Sequence, residues 1–227
     1  MRSLLHMPFD PACRLVRLTL AEKGLPAQFI EKAPWDDPQG DIVSLNPAGT
    51  IPVLVDEPLT GGSVCIAPVI AIVEYLEDAY SATPLMPSTS AGRAETRRLC
   101  AWLIQMFASE ASGPFIQEQI EKRLCRAGPP DYEVLQNARA RLDWHFDYFS
   151  WLLTERTWFA GEKMTLADFA AAAHISTLDY LDTITWSSYP EITDWYMRIK
   201  SRPSFRPLLA DRLDGIPPPR QYSELDF

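Results

Sequence analysis

Asp10 and Cys13 stand three residues apart in FDPACRLVR, where Pro11 and the apolar residues behind it mark the start of a helix. A thiol near a helix N-terminus can have a lowered pKa and act as a nucleophile. Cys13 is therefore a candidate for thiol chemistry, although a carboxylate at Asp10 would repel the thiolate. The competing reading makes Cys13 a small residue packed at the helix start, as free cysteines often are. The other cysteines, Cys65, Cys100 and Cys125, are widely spread, with no C-x-x-C pair and no histidine spacing suited to zinc. Free thiols in a reducing compartment are expected. The three histidines form no Ser–His–Asp or metal constellation. His6 ends a strand, His145 sits beside Trp144 on a helix, and His174 lies in an alanine-rich helix as a hydrogen-bonded core residue.

The elements that must position these residues change character along the chain. RSLLHM is an apolar run ending at Pro8, read as a first strand; an apolar stripe through Leu15, Val16, Leu18 and Leu20 then closes at Gly24. AQFIEK and IPVLVD read as two further strands, the latter opened by a Pro52 suited to a cis bond in a tight turn. IAPVIAIVEYLE, residues 66 to 77, reads as a strand end running into a helix that starts near Pro68. That helix start has no acid and no hydroxyl to satisfy its first N–H groups. The order predicts a small α/β layer domain over 1–80. SATPLMPSTSAG, 81–92, reads as a linker.

Beyond the linker the pattern is helical over 93–214. RRLCAWLIQMF forms one helix, and Leu135, Ala138, Leu142, Phe146, Phe149 and Leu153 form the stripe of another. TLADFAAAAHISTLDYL begins with Thr165 three residues before Asp168, a capping-box spacing, and is apolar around most of its circumference. Such a helix is the buried centre of a bundle. The final 215–227 read as an extended tail: Pro217, Pro218 and Pro219 favour polyproline geometry, which would project Tyr222, Leu225, Asp226 and Phe227 away from the bundle as a docking peptide. Deleting 217–227 is then expected to leave the fold nearly intact; the competing reading is a tail that folds back over an apolar patch of its own domain, whose truncation would destabilise the protein.

Charge narrows the function classes. Residues 1–80 carry 5 Lys or Arg against 11 Asp or Glu, within a chain of net charge −9. An acidic field of this kind disfavours nucleic acid, whose binding rests largely on phosphate neutralisation. No apolar run approaches the roughly 20 residues needed to span a bilayer. Asp10 and the flanking prolines interrupt the N-terminus before any signal-peptide core could form. A cytoplasmic location is expected.

NPAGTIPVLVD (46–56), AIVEYLE (71–77), WFAGEKMTLADF (158–169) and YMRIKSRPSF (196–205) together resemble the glutathione S-transferase superfamily over nearly the whole chain. The resemblance implies a thioredoxin-like α/β N-terminal domain followed by an all-α helical bundle. It places Ile51, Pro52, Pro68 and Val69 at glutathione-site positions, and the family's activating Ser or Cys near Asp10. Members of the family normally carry Glu or Asp followed by Ser where this chain has Pro68 and Val69. The glutathione site is thus expected to be degenerate, with no cofactor held. The start MRSLLHMPFDPACRLVRL, the run MTLADFAAAAHISTLDYL and the end GIPPPRQYSELDF resemble a narrower, alphaproteobacterial group of transferase-like cell-division proteins that bind FtsZ. That resemblance implies a homodimer at the division site that engages FtsZ filaments, with other division proteins as further partners of the tail. Such a protein supports constriction and is not an enzyme. The alternative is an enzyme: a glutathione transferase, or a Cys13-dependent thiol oxidoreductase.

Partner-facing candidates besides the tail are Trp35, in the acidic turn APWDDPQG, and two basic clusters, Arg93, Arg97, Arg98 and Lys122, Arg123, Arg126. An exposed Trp is a frequent binding anchor, and clustered cations complement an acidic filament. The competing readings are a Trp covering the sheet edge and solvated helix faces.

Overall fold

The computed structural model describes residues 2–58 and 62–224. The chain divides into two compact units, Met1–Pro84 and Leu85–Phe227.

The first unit runs β1 (Arg2–His6), α1 (Pro11–Glu22), β2 (Gln28–Glu31), α2 (Asp41–Leu45), β3 (Val53–Asp56), β4 (Val64–Ile66) and α3 (Val69–Ala79). The sheet order is β2-β1-β3-β4. β1 and β2 are parallel, with Leu4 opposite Phe29, and α1 is the crossover between them. β3 returns antiparallel to β1 with Leu54 opposite Leu4, and β4 follows antiparallel. Strand alternation sends Leu5 and Val53 into a cluster with Ile42 of α2. Leu4 and Leu54, also fully buried, point to the opposite face, where the buried stripes of α1 and α3 pack together. α2 and β4, of 5 and 3 residues, are too short to show a period in the sequence.

Buried polar pairs close this unit. Asp56 ends β3 and is almost wholly buried; it takes an ion pair from Arg2 at 3.2 Å and a hydrogen bond from the Tyr75 hydroxyl at 3.0 Å. Burial and that hydrogen bond push the Tyr75 phenol up. Lys23 pairs with Glu77 at 2.7 Å and donates to the Tyr80 and Thr83 carbonyls, tying the end of α1 to the end of α3. Breaking such a pair by removing one partner leaves an uncompensated buried charge.

The second unit begins inside the stretch expected to be a linker. Leu85 and Met86 are buried, the Leu85 carbonyl accepts from the Leu166 amide at 2.9 Å, and Thr89 caps the next helix. α4 (Ser90–Ala101) continues through wide π-helical turns at Trp102–Ser112 and Gln117–Glu121, with α5 (Gly113–Ile116) between them and α6 (Lys122–Leu124) at the end. Gly113 has no room for a side chain, because a Cβ there would overlap the Ala108 carbonyl. α7 (Tyr132–Glu155), α8 (Leu166–Tyr180), α9 (Pro190–Lys200), α10 (Arg206–Leu209) and α11 (Arg220–Ser223) complete the unit. Every residue of α8 is buried, as its all-round apolar sequence predicts. The Thr165–Asp168 capping box forms, and the Asp168 carboxylate also accepts from the Phe159 amide and the Trp195 indole. His174 is a core residue 2.7 Å from the Ser112 hydroxyl, and burial lowers its pKa to about 3, so it stays neutral at physiological pH.

The projecting tail is corrected. Tyr222 is fully buried in its own unit, edge-on to Tyr180 at 5.1 Å, and its hydroxyl donates to the Leu208 carbonyl at 2.9 Å. Pro219 is extended, at φ −64° and ψ 159°, but a buried aromatic side chain follows it and brings the chain back to the bundle. Deleting 217–227 therefore costs stability, contrary to the expectation above. Loss of a fully buried aromatic removes about 3 kcal/mol or more, which a urea melt of the truncated protein measures. Leu225, Asp226 and Phe227 lie outside the described residues.

Candidate functional site

In the first unit, α1, the turn before β3 and the start of α3 are the elements that carry the glutathione-site positions. The Asp10 side chain caps α1, accepting from the Cys13 amide at 2.7 Å. The helix terminus thus holds an anion of its own. Arg14, fully buried, donates to the Pro8 carbonyl at 2.7 Å and stacks over Phe9, pinning the loop in front of the helix. Cys13 is inaccessible, and burial followed by the adjacent Asp10 charge drives its thiol well above the usual value. The packed reading of Cys13 holds and the thiol-chemistry reading does not: desolvation of a wholly buried sulfur outweighs the helix dipole. A thiol titration at pH 8 is expected to find Cys65 and Cys125 prompt and Cys13 and Cys100 slow, with all four reacting in denaturant.

Asn46 builds the turn before β3 from inside. Its side-chain amide donates to the Thr50 carbonyl at 2.8 Å, and its side-chain oxygen accepts from the Ala48 amide. Gly49, at φ +67°, supplies the left-handed residue the turn requires. The turn delivers Ile51 and Pro52 through a cis bond, as the sequence suggested for Pro52. At the start of α3, Pro68 is the capping residue and not the first helical one; Val69 takes that place. No side chain caps the helix, and its first turn holds no acid. Val69 is buried and offers only carbon. The half of the site that would hold an amino-acid end of a ligand has no side-chain donor or carboxylate at these two positions.

Of the partner-facing candidates, Trp35 lies in the first unit and the two basic clusters in the second. Trp35 is 41% exposed at the tip of a tight turn closed from the Asp36 amide to the Ala33 carbonyl, beside Asp37, whose carboxylate caps α2. That exposure favours an anchor over a cover for the sheet. On α4, Arg97 and Arg98 are exposed and Arg93 is half-buried. Arg98 is engaged within its own unit, with two bonds to Glu95 and one to the Tyr148 hydroxyl. The Arg98 guanidinium, joined by Arg156, holds the Glu95 carboxyl down at about 2. Lys122 pairs with Glu118, while Arg123 and Arg126 are exposed. Arg123 lies directly against Gly215, so the second basic cluster and the root of the tail are neighbours.

One surface went unread in the sequence. Trp102 stacks on Trp144 at 5.9 Å and meets Tyr148 at 4.8 Å, and Tyr148 stacks on Trp151 at 6.0 Å. Trp144 and Trp151 are 44% and 56% exposed. Trp144, Tyr148 and Trp151 stand at i, i+4 and i+7 on α7, a helical stripe of aromatics that spacing alone could have flagged. Two of the charges beside the strip are paired, Arg141, which covers Trp144 and bonds Glu110, and Arg156, which bonds Glu95, while Asp147 and Glu155 on the same helix are exposed.

Residues 4–84 match the N-terminal domain model of glutathione S-transferases, and residues 116–203 match the C-terminal domain model. The four-stranded sheet, the helical bundle and these matches agree: the chain belongs to the glutathione S-transferase family. Within it, the chain is 44% identical over 226 residues to FtsZ-localized protein A of Caulobacter vibrioides, covering 100% of this chain and 98% of that protein. The solved structure of FzlA from C. crescentus superposes with a TM-score of 0.95, covering 100% and 99% of the two chains. A glutathione S-transferase from Rhodospirillum rubrum F11 superposes at 0.94 with 40% identity, over 100% of both chains. Glutathione S-transferase 3 of Zea mays is more distant, at 27% identity over 97% of each chain.

Proposed function

We infer that this chain is an FtsZ-associated cell-division protein, a transferase fold put to work as an interaction module. The observation that carries the reading is the 44% identity, along the full length, to a protein named for its localisation with FtsZ. What supports it in the site is a buried Cys13, an α1 terminus already capped by Asp10 and an α3 that starts without a side-chain cap. The protein acts in the cytoplasm at the division site and supports constriction. Trp35 anchors it on the filament, aided by the exposed cations of the two basic clusters. The C-terminal peptide Leu225-Asp226-Phe227 serves a further division protein.

The assembly is a homodimer, and the aromatic strip is a surface that a second copy covers. Trp144 and Trp151 leave large apolar side chains exposed next to one another on α7, and a second copy laid over them would take that surface from water. Two copies also present two filament contacts, and avidity then multiplies a weak one. Trp151→Glu is expected to shift the light-scattering mass toward a monomer. Co-sedimentation with GTP-assembled FtsZ tests the function itself. The protein is expected to pellet with filaments, and Trp35→Ala to reduce the bound fraction severalfold. Protein that stays in the supernatant at every filament concentration overturns the reading.

The second reading, a glutathione transferase, rests on the Rhodospirillum rubrum protein at 40% identity. Saturable glutathione binding with conjugating activity would favour it.

A further inference from the structure

The aromatic strip rests on a buried histidine with both ring nitrogens engaged. His145 of α7 is fully buried, and the Trp102 indole donates to its Nδ1 at 3.1 Å. An indole N–H can only donate, so Nδ1 carries no proton. The neutral ring then keeps its proton on Nε2, which faces the Glu110 carboxylate at 3.1 Å. Glu110 is in turn held by Arg141, whose guanidinium lies over the Trp144 ring at 4.6 Å. Trp144 and Phe107 meet the imidazole edge-on at 4.9 and 5.1 Å. With its N–H fixed in this way, Trp102 lies within 8° of parallel to Trp144. A leucine or phenylalanine would fill the same space; what the imidazole adds is two directed hydrogen bonds.

We propose that His145 is a positioning residue: held as the Nε2–H tautomer between Glu110 and Trp102, it fixes Trp102 against Trp144 and Tyr148, so that the strip is already formed when a second copy covers it. This rests on the dimer proposed above. Side chains set in place beforehand lose less freedom on association, so the histidine tightens the dimer without touching the other copy. The strip's borders fit a second copy. Exposed Arg98 flanks it from α4, bonded to Tyr148, and exposed Asp147 and Glu155 flank it on α7. A twofold axis through such a surface can set the cation of one copy against acids of the other. The charged groups facing the imidazole are Glu110, which favours imidazolium, and Arg141, which opposes it. Burial is the largest effect and holds the His145 pKa below its usual value, so the ring is neutral at physiological pH. As pH falls through that lowered pKa, a second proton goes to Nδ1, faces the indole N–H and removes the acceptor of Trp102.

Two full-length variants test the role. His145→Gln can still accept from Trp102 and donate to Glu110, but it does not titrate. His145→Phe keeps a ring and loses both bonds. Light scattering across a dilution series is expected to give the glutamine variant a dimer constant within about threefold of the parent at neutral pH. The phenylalanine variant should dissociate at least tenfold more readily. In acid the parent dimer should weaken while the glutamine variant stays flat, and nitrogen NMR of the neutral parent should find the His145 proton on Nε2. If His145→Phe does not fold, the acid comparison of parent and glutamine variant carries the test. A phenylalanine variant that dimerises like the parent overturns the proposal, as does a proton on Nδ1. Acid weakening that the parent lacks, or that the glutamine variant shares, overturns it too. A parent that is monomeric at neutral pH instead defeats the dimer on which the role depends.

Discussion

Glutathione titrated into this protein is expected to give no saturable heat at micromolar concentrations. The α3 terminus lacks the carboxylate and hydroxyl that the family normally places there, since Pro68 caps the helix without a side-chain bond and Val69 begins it. Each missing polar contact removes about 1 kcal/mol or more, and two together remove at least tenfold in affinity. The α1 terminus adds to the loss, because Asp10 already occupies the Cys13 amide with a carboxylate. A thiolate brought to that end would meet like charge. Isothermal calorimetry checks the binding, and a chlorodinitrobenzene assay checks the chemistry. Ordinary micromolar affinity with conjugating turnover would show that the site is rewired and not lost.

Asp168→Ala is expected to be among the most destabilising single substitutions in the helical unit. Its carboxylate accepts from the Phe159 amide at 2.9 Å, the Thr165 amide at 2.7 Å, the Thr165 hydroxyl at 3.2 Å and the Trp195 indole at 3.0 Å. The carboxylate is wholly buried and Trp195 is buried with it. Truncation leaves several donors without an acceptor, at about 1–3 kcal/mol each. A loss of about 4 kcal/mol or more follows, and the melting temperature should fall by on the order of 10 °C. Asp168→Asn keeps the shape and one acceptor oxygen, so it should cost less. A thermal melt of both variants measures the difference; an alanine variant that melts within a few degrees of the parent contradicts the assignment.

Much of the fold was legible before the structure. The Thr165–Asp168 spacing announced a helix start, and the apolar circumference of 166–180 announced its burial, because capping and hydrophobic periodicity are local properties of a chain. The strands around Leu4 and Leu54 were readable for the same reason. The weak start of α3 was legible too, since a residue with no polar atom in its side chain cannot bind through one.

What the sequence could not decide depends on distant neighbours. Cys13 stands at a helix start, where the dipole favours a thiolate. Only the packed structure shows that burial and Asp10 reverse the balance. Pro217–Pro219 do favour an extended chain, yet Tyr222 finds its place against Tyr180, 42 positions earlier, and Lys200 reaches the Gln221 carbonyl from another helix. The aromatic strip likewise exists because Trp102 of one helix falls between Trp144 and Tyr148 of another. Local sequence determined the elements and left Pro68 and Val69 without a polar side-chain atom at the start of α3. Tertiary packing decided which side chains are dry, which charges are paired and where the tail is held, because desolvation and ion pairing are set by whatever atoms the fold brings alongside.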